Sequence, residues 1–460
     1  QLREENIRRN AAFLASLGLD SVKPAAIVDS TQLRHPRKKR PRSPPAATAP
    51  SRRSSRVAGI SAEQTKAPLK DLNSAEAEEG EDEEEGEEDL DDSDVVRYAL
   101  AQAERAAAFS SQEVEALKQS SPKSLFLLHG EDEPLYSDDL AACYSLSFSS
   151  SPSHPVLLAA GKGGVVTMFN DPFRKPKERP APYSFVAHSR WIGTARLADP
   201  ALFSEGTFPV LTASDDSLVK LWDLSKVGKT KPRLLWSSNQ VHDRGIFAME
   251  VRRNCVVTGS KDKTVALSYL DPAGGALKSS SRFSLHAGVV KGVDLKEDGQ
   301  VLASAGQDRC ICVKDSRVHG DSADIEIEEC HHGGAHSVQF NPYGQDHFLL
   351  TAGLDHCVKL FDLRHVKSGG TPLLSFKGHV PSSVSKVKSI TPPLFLSNNT
   401  VVTGGQGSHR LSIYCTKTGK TLSRGSMPDD PCNIAVTACA QGLVVAAACK
   451  GDIYFLRGDE

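Results

Sequence analysis

The chain has 460 residues, a formal net charge of −2 and ten cysteines. That length can bury a large core, but no apolar run approaches the roughly eighteen residues of a membrane helix, so no membrane span is expected. The cysteines all follow residue 140, singly or as Cys310-Ile311-Cys312, with no paired CxxC; they read as reduced strand cysteines of an intracellular protein, not as a disulfide framework.

The near balance of charge conceals strong local excesses. The chain opens at Gln1, which points to a start further upstream. Residues 1–19 place Ile7, Ala11, Leu14 and Leu17 at helical spacing with Gly18 as a stop, so an amphipathic helix is expected. Its apolar stripe needs a partner, either the rest of this chain or a surface on another protein. Residues 20–93 cannot build a core and are expected to be a disordered linker, basic and then acidic. Residues 34–56 combine basic clusters with proline and serine and contain no acid. Within them Arg37, Lys38, Lys39 and Arg40 have the form of a nuclear import signal, and the stretch can hold phosphate backbones or serve as a solvated linker. Ser43, Ser54 and Ser55 are candidate phosphorylation sites that would weaken this charge. Residues 76–94 are almost continuously acidic: they bind histones, fold back on the basic stretch, or act as a spacer. Residues 94–119 have the composition of a second helix, with Ser93 as a cap.

Residues 124–460 are built on a repeat. Its full form is LLTAGLDHCVKLFDLR at 349–364: a buried strand, a turn at 353–355, an alternating strand at 357–361, and Asp362. Equivalents stand at 210–224, 256–271 and 301–315. Strand-like units recurring in this way mark a repeat protein rich in β-strands. Counted along the chain they start near Cys143, His188, His242, His286, His332, His379 and Asn433. The last unit offers only three strands.

The unit resembles the WD repeat of β-propellers, in which about 40–45 residues make one four-stranded blade. The resemblance implies an all-β, seven-bladed propeller, a closed ring of four-stranded blades in which the apolar stretch 125–129 is expected to supply the fourth strand of the last unit and remove the free edges. It also implies, in each blade, a buried network of histidine, hydroxyl, aspartate and tryptophan. His188, Thr212, Asp216 and Trp222 match it best. His242, His286, either His332 or His336, and His379 open the other blades, and Tyr269, Lys314 or Phe361 replaces the tryptophan elsewhere. In such a fold the residues after each opening histidine and the aspartate turns share one face. Arg190, Arg244, Lys291 and Lys386 occupy the first positions, and Lys261, Lys263, Arg309 and Arg410 the second. Trp191 adjoins Arg190, and Arg174, Lys175, Lys177 and Arg179 are expected to extend the patch. Cations around an aromatic suit phosphate-backbone binding with base stacking, whereas the plainer alternative is solvated turns and a core tryptophan.

The helix at 5–19 and the basic segment ending at 52–59, followed by a propeller, resemble the nuclear WD-repeat family named for a changed mutation rate, whose members are chromatin-bound and associated with DNA damage. The resemblance implies nuclear localisation, DNA, nucleosome or histone partners and, for some members, a substrate-receptor role in cullin-four-type ubiquitin ligases. Phe361, Asp362 and Arg364 resemble the Trp-Asp-x-Arg box that engages the adaptor of such ligases, with Arg364 reaching out of the blade. The competing reading is an interaction scaffold without nucleic-acid contact.

Enzymatic readings find little support. Residues 161–164 lack the Gly-x4-Gly-Lys-Ser/Thr spacing of a phosphate loop. Cys330, His331, His332 and His336 are better explained by blade structure than by a metal. No nucleophile and base pair can be placed, so no catalytic residue, cofactor, metal or small-molecule substrate is expected.

Overall fold

The computed structural model describes residues 111–120, 122, 124–128, 133–149, 155–226, 231–271, 276–366, 370–384, 391–439 and 442–459. The helix expected at 1–19, the linker at 20–93, the import signal at Arg37, Lys38, Lys39 and Arg40, and Lys386 lie outside them. Of the helix expected at 94–119, α1 (Ser111–Gln119) falls within them.

The strands form seven antiparallel sheets of four. β1 (Ser124–Leu127) precedes the first complete blade, which comprises β2 (Cys143–Phe148), β3 (Val156–Gly161), β4 (Val165–Asn170) and β5 (Tyr183–Val186). The second comprises β6 (Ile192–Leu197), β7 (Pro209–Ser214), β8 (Val219–Asp223) and β9 (Arg233–Ser238). The third comprises β10 (Ile246–Arg252), β11 (Cys255–Ser260), β12 (Val265–Asp271) and β13 (Ala276–Phe283). The fourth comprises β14 (Val290–Leu295), β15 (Val301–Gly306), β16 (Ile311–Asp315) and β17 (Ile325–Ile327). The fifth comprises β18 (Ala335–Phe340), β19 (Phe348–Gly353), β20 (Val358–Asp362) and β21 (Leu374–Phe376). The sixth comprises β22 (Leu394–Ser397), β23 (Thr400–Gly404), β24 (Arg410–Cys415) and β25 (Thr421–Ser426). The seventh takes β26 (Asn433–Cys439), β27 (Gly442–Cys449) and β28 (Asp452–Asp459) from the end of the chain and β1 from before the first blade. Ser124 to Leu127 pair antiparallel with Asp459 to Leu456. The protein is a seven-bladed β-propeller.

Burial follows strand position. The second strands β7, β11 and β15 are buried at every residue, because a neighbouring blade covers each face. That is why they read as unbroken runs of apolar and small residues. The third strands β8 and β20 each hold a half-buried lysine, Lys220 or Lys359, and end on a half-buried aspartate, Asp223 or Asp362, and the outer strands carry Val186, Leu234 and Leu422 exposed.

The apolar packing is divided among the seams. One cluster joins Leu158 and Val166 to Ile192 and Val210; another joins Leu211 and Leu221 to Ile246 and Val256, and equivalent clusters continue around the ring. At the closing seams, Leu125 packs with Leu411 and Leu456, and Leu157 with Val444 and Phe455. Hydrogen bonds staple the seams nearer the axis: Ser145 Oγ accepts from the Ala195 amide at 3.1 Å, Asp294 from Phe340 at 2.7 Å, Gln339 from Phe395 at 2.9 Å and Asn433 from Leu146 at 3.1 Å. Arg196 and Arg252 both bind Glu250, joining the second blade to the third, and Arg252 approaches Asp294 of the fourth at 3.5 Å.

One expectation about repeat boundaries changes. The fifth blade is opened by His331, neither His332 nor His336: His331 Nδ1 lies 2.9 Å from Asp355 and Nε2 2.9 Å from Thr351 Oγ1. Three histidines near the blade start made the register ambiguous in the sequence. Lys314, in the tryptophan position of the fourth blade, is only 1% exposed and turns its ammonium toward Asp324, 3.4 Å away.

Ring closure gives a direct test. Leu125 is 5% exposed in the closing seam while its neighbour Phe126 is 58% exposed. Leu125→Ala should lower the urea midpoint by the equivalent of about 2–4 kcal/mol, and Phe126→Ala should stay within about 0.5 kcal/mol of the parent. Equal effects would show that β1 is not a structural part of the last blade.

Candidate nucleic-acid interface

Local hydrogen bonding that fixes one face recurs in the second to fifth blades. In the second blade His188 Nδ1 lies 3.0 Å from Asp216, Nε2 lies 2.8 Å from Thr212 Oγ1, and Trp222 Nε1–H donates to the same hydroxyl at 3.0 Å. His242 with Asp262 and Thr258, and His286 with Asp308 and Ser304, repeat the arrangement without tryptophan. Burial raises the Asp308 carboxyl, but bonds from His286 and from main-chain amides outweigh it and hold it at about 2. Among the described residues, the His379 ring has Tyr414 Oη at 3.5 Å as its side-chain hydrogen-bond partner, and burial holds it down at about 4.

Each turn aspartate also accepts from the amide two residues on, at Leu218, Thr264 and Cys310. The residue between is forced to positive φ: Ser217 at 69°, Lys263 at 74° and Arg309 at 73°. Lys263 and Arg309 are therefore exposed at turn tips for a backbone reason. Lys261 lies beside Arg244 because its amide donates to Gly245 O and Ser260 Oγ donates to Arg244 O.

The cations differ in availability. Arg190 is exposed but pairs with Asp215 at 3.0 Å, and Arg309 with Glu329 at 3.4 Å. Among the described residues Arg244, Lys261, Lys263 and Arg410 are exposed and within no ion pair. Lys291 is half-buried with Nζ 3.4 Å from the Phe247 ring centroid. Burial and then Lys261 pull it down to about 8. Trp191 is half-buried, edge-on to Tyr144 at 5.9 Å and to Phe247 at 5.0 Å.

Tyr144 and Phe247 escaped the sequence reading and His336 was read there only as a blade opener or metal ligand, yet a signal for two of the three as channel residues exists. Gly193, Phe247, Lys291 and His336 each stand five residues after the opening histidine of four successive blades. In each case the register with the second strand skips there, so the residue bulges out of the ladder. Tyr144 bulges in the same way in the first blade. All five line a central channel of about 560 Å³ walled by the innermost strands, with Val114 and Lys118 of α1 also in its lining.

Four expected members of the patch lie elsewhere. Residues 171–182 connect β4 to β5, and Phe173 packs against Phe148 at the end of β2, 5.8 Å away, and Phe455. Arg174, Lys175, Lys177 and Arg179 therefore belong to the opposite face from Arg190, because the chain has crossed the blade by the end of β4. The Arg364 fork also differs from expectation. Its Nε and Nη2 donate to Asp362 at 2.9 and 2.7 Å, the side chain is 20% exposed, and Phe361 is buried. Arg317 grips Asp315 identically, so Asp-x-Arg acts here as a local cap at two blade ends.

The model of the WD domain, G-beta repeat, matches residues 277–315, which span β13 to β16. Restriction of telomere capping protein 1 from Lodderomyces elongisporus is similar at 28% identity over 138 residues, covering 27% of this chain and 11% of that protein. The chain thus matches about a ninth of that relative's length. With the sheet order, these residues identify WD40 repeats in a seven-bladed propeller, a fold that serves as a platform for protein interactions. No helix among the described residues is long and apolar enough to cross a membrane.

Two histidines contribute a loss of stability in acid, opposed in part by Asp294, whose carboxyl burial pushes up to about 7. His379 and His336 are each held at about 4 against an ordinary 6.5, by burial first and then by neighbouring positive or ionisable groups. Unfolding lets them bind protons, so their contribution is complete above about pH 6.5 and is lost as pH falls toward 4. The urea midpoint should drop across that window, and His336→Gln should flatten part of the drop; an unchanged profile would contradict the assignment.

Proposed function

We propose that this chain is a nuclear DNA- or chromatin-binding propeller associated with the response to DNA damage. The observation that carries the reading is the cluster of exposed cations with no carboxylate partner among the described residues, Arg244, Lys261 and Lys263, beside the aromatic mouth of the channel. Polyanion binding needs such uncommitted charge, because each phosphate contact releases condensed counterions. Residues 34–56 and the motif at Arg37, Lys38, Lys39 and Arg40 would add a second cationic element and a route to the nucleus.

The test is duplex-DNA affinity of the full chain across a salt series, beside Arg244→Gln, Lys261→Gln, Lys263→Asn. Asparagine is chosen at 263 because it tolerates positive φ. The triple variant should lower the magnitude of the salt slope by about 2–3 if all three contact phosphates. An unchanged slope, with binding abolished by deletion of residues 34–56, would assign nucleic-acid contact to the tail and leave the propeller as a protein scaffold.

The ligase-receptor reading rests on Phe361, Asp362 and Arg364, and the fork would have to leave Asp362 or present only its outer edge. Arg364→Ala should reduce recovery of the cullin-four adaptor from cells while Arg317→Ala should not. Equal recovery from both variants would remove this role.

A further inference from the structure

We propose that the mouth of the central channel is a stacking site for an unpaired nucleotide, so that the propeller prefers single-stranded DNA to intact duplex; this rests on the nucleic-acid reading above. Tyr144, Trp191 and Phe247 come from three successive blades and form a continuous arc of rings with centroid separations of 5.9 and 5.0 Å. Their arrangement is fixed by the fold, since Tyr144 and Phe247 occupy bulges of the inner strands and Trp191 precedes β6. Tyr144 nevertheless remains 43% exposed, large for an aromatic residue braced on one edge. The ring offers a π surface to anything that enters the mouth.

The charges around the arc select the occupant. Three rings suggest a cation cage, but Phe247 is already covered by Lys291 at 3.4 Å, while Arg244 and Lys261 stand exposed on the neighbouring turns and only Arg190 is offset, by Asp215. A further ammonium or guanidinium would meet repulsion from Lys291, Arg244 and Lys261. A neutral planar ring with an anionic backbone meets none: its base stacks on the open face of Tyr144, with Trp191, at 89° to that ring, against the edge, and its phosphates meet Arg244 and Lys261. Paired bases are inaccessible to such a platform because both faces are stacked within the duplex. The channel, about 560 Å³, falls within the range of roughly 300–1,000 Å³ usual for small-ligand sites, so a base has room to enter.

The experiment compares the full chain binding fluorescein-labelled oligothymidine and a labelled hairpin duplex of equal charge, by anisotropy at one salt concentration. Tryptophan emission is followed in parallel, and Trp191→Phe identifies the residue responsible among the three tryptophans. The proposal expects tighter binding of oligothymidine and quenching that disappears in Trp191→Phe. It also expects a loss of about 5- to 100-fold for Tyr144→Ala on oligothymidine, with duplex affinity and thermal midpoint unchanged. Duplex binding without preference for the single strand, or equal losses on both probes, would overturn the stacking site and leave the wider DNA reading standing. Failure of the parent chain to bind either probe would overturn both.

Discussion

Every blade of this protein depends on apolar burial that its neighbour completes. The second strands have no solvent side: Leu211 and Ala213 face the third blade while Val210 faces the first, and all three are fully buried. An isolated blade would expose both faces of such strands, so stability belongs to the seams. A ring of seams must also close, and β1 performs that closure by pairing with β28 and setting Leu125 against Leu411 and Leu456. The amino-terminal side of the propeller is thus fastened to its carboxy-terminal end.

Seam packing also explains where polar chemistry survives inside the ring. Buried Asp294 accepts an amide proton from Phe340 across a seam, and Glu250 sits between Arg196 and Arg252. Burial pushes Asp294 up, whereas for Glu250 the two guanidiniums outweigh burial and hold the carboxyl low. These groups orient the inner strands whose bulges place Tyr144, Phe247 and Lys291 at the channel. The same framework holds Lys263 and Arg309 at strained turn tips, through aspartates that simultaneously anchor the opening histidines.

The repeat was legible because buried strands and aspartate turns recur at nearly constant spacing, and because three closing strands left one place vacant. Its register failed at residues 331–336, where histidines cluster and only the distance to Asp355 distinguishes them. The cationic patch was legible as residue types following each histidine, but its membership depended on which face a connection occupies. Arg174, Lys175, Lys177 and Arg179 therefore fell away, while Arg190 and Arg309 proved committed to Asp215 and Glu329. Phe247 and His336 could have been found five residues beyond their histidines; Tyr144 could not, because the first blade has no such histidine in the described network. Arg364 looked like an outward fork because sequence carries no information on its two bonds to Asp362.

The proposed nucleic-acid contact is on the histidine-side face. The most direct measurement is hydrogen–deuterium exchange of the full chain with and without DNA carrying a short unpaired stretch. The account predicts slowed exchange at residues 190–193, 244–247 and 261–263, with residues 171–182 unaffected. Protection confined to residues 34–56, or to the opposite face around 171–182, would contradict it.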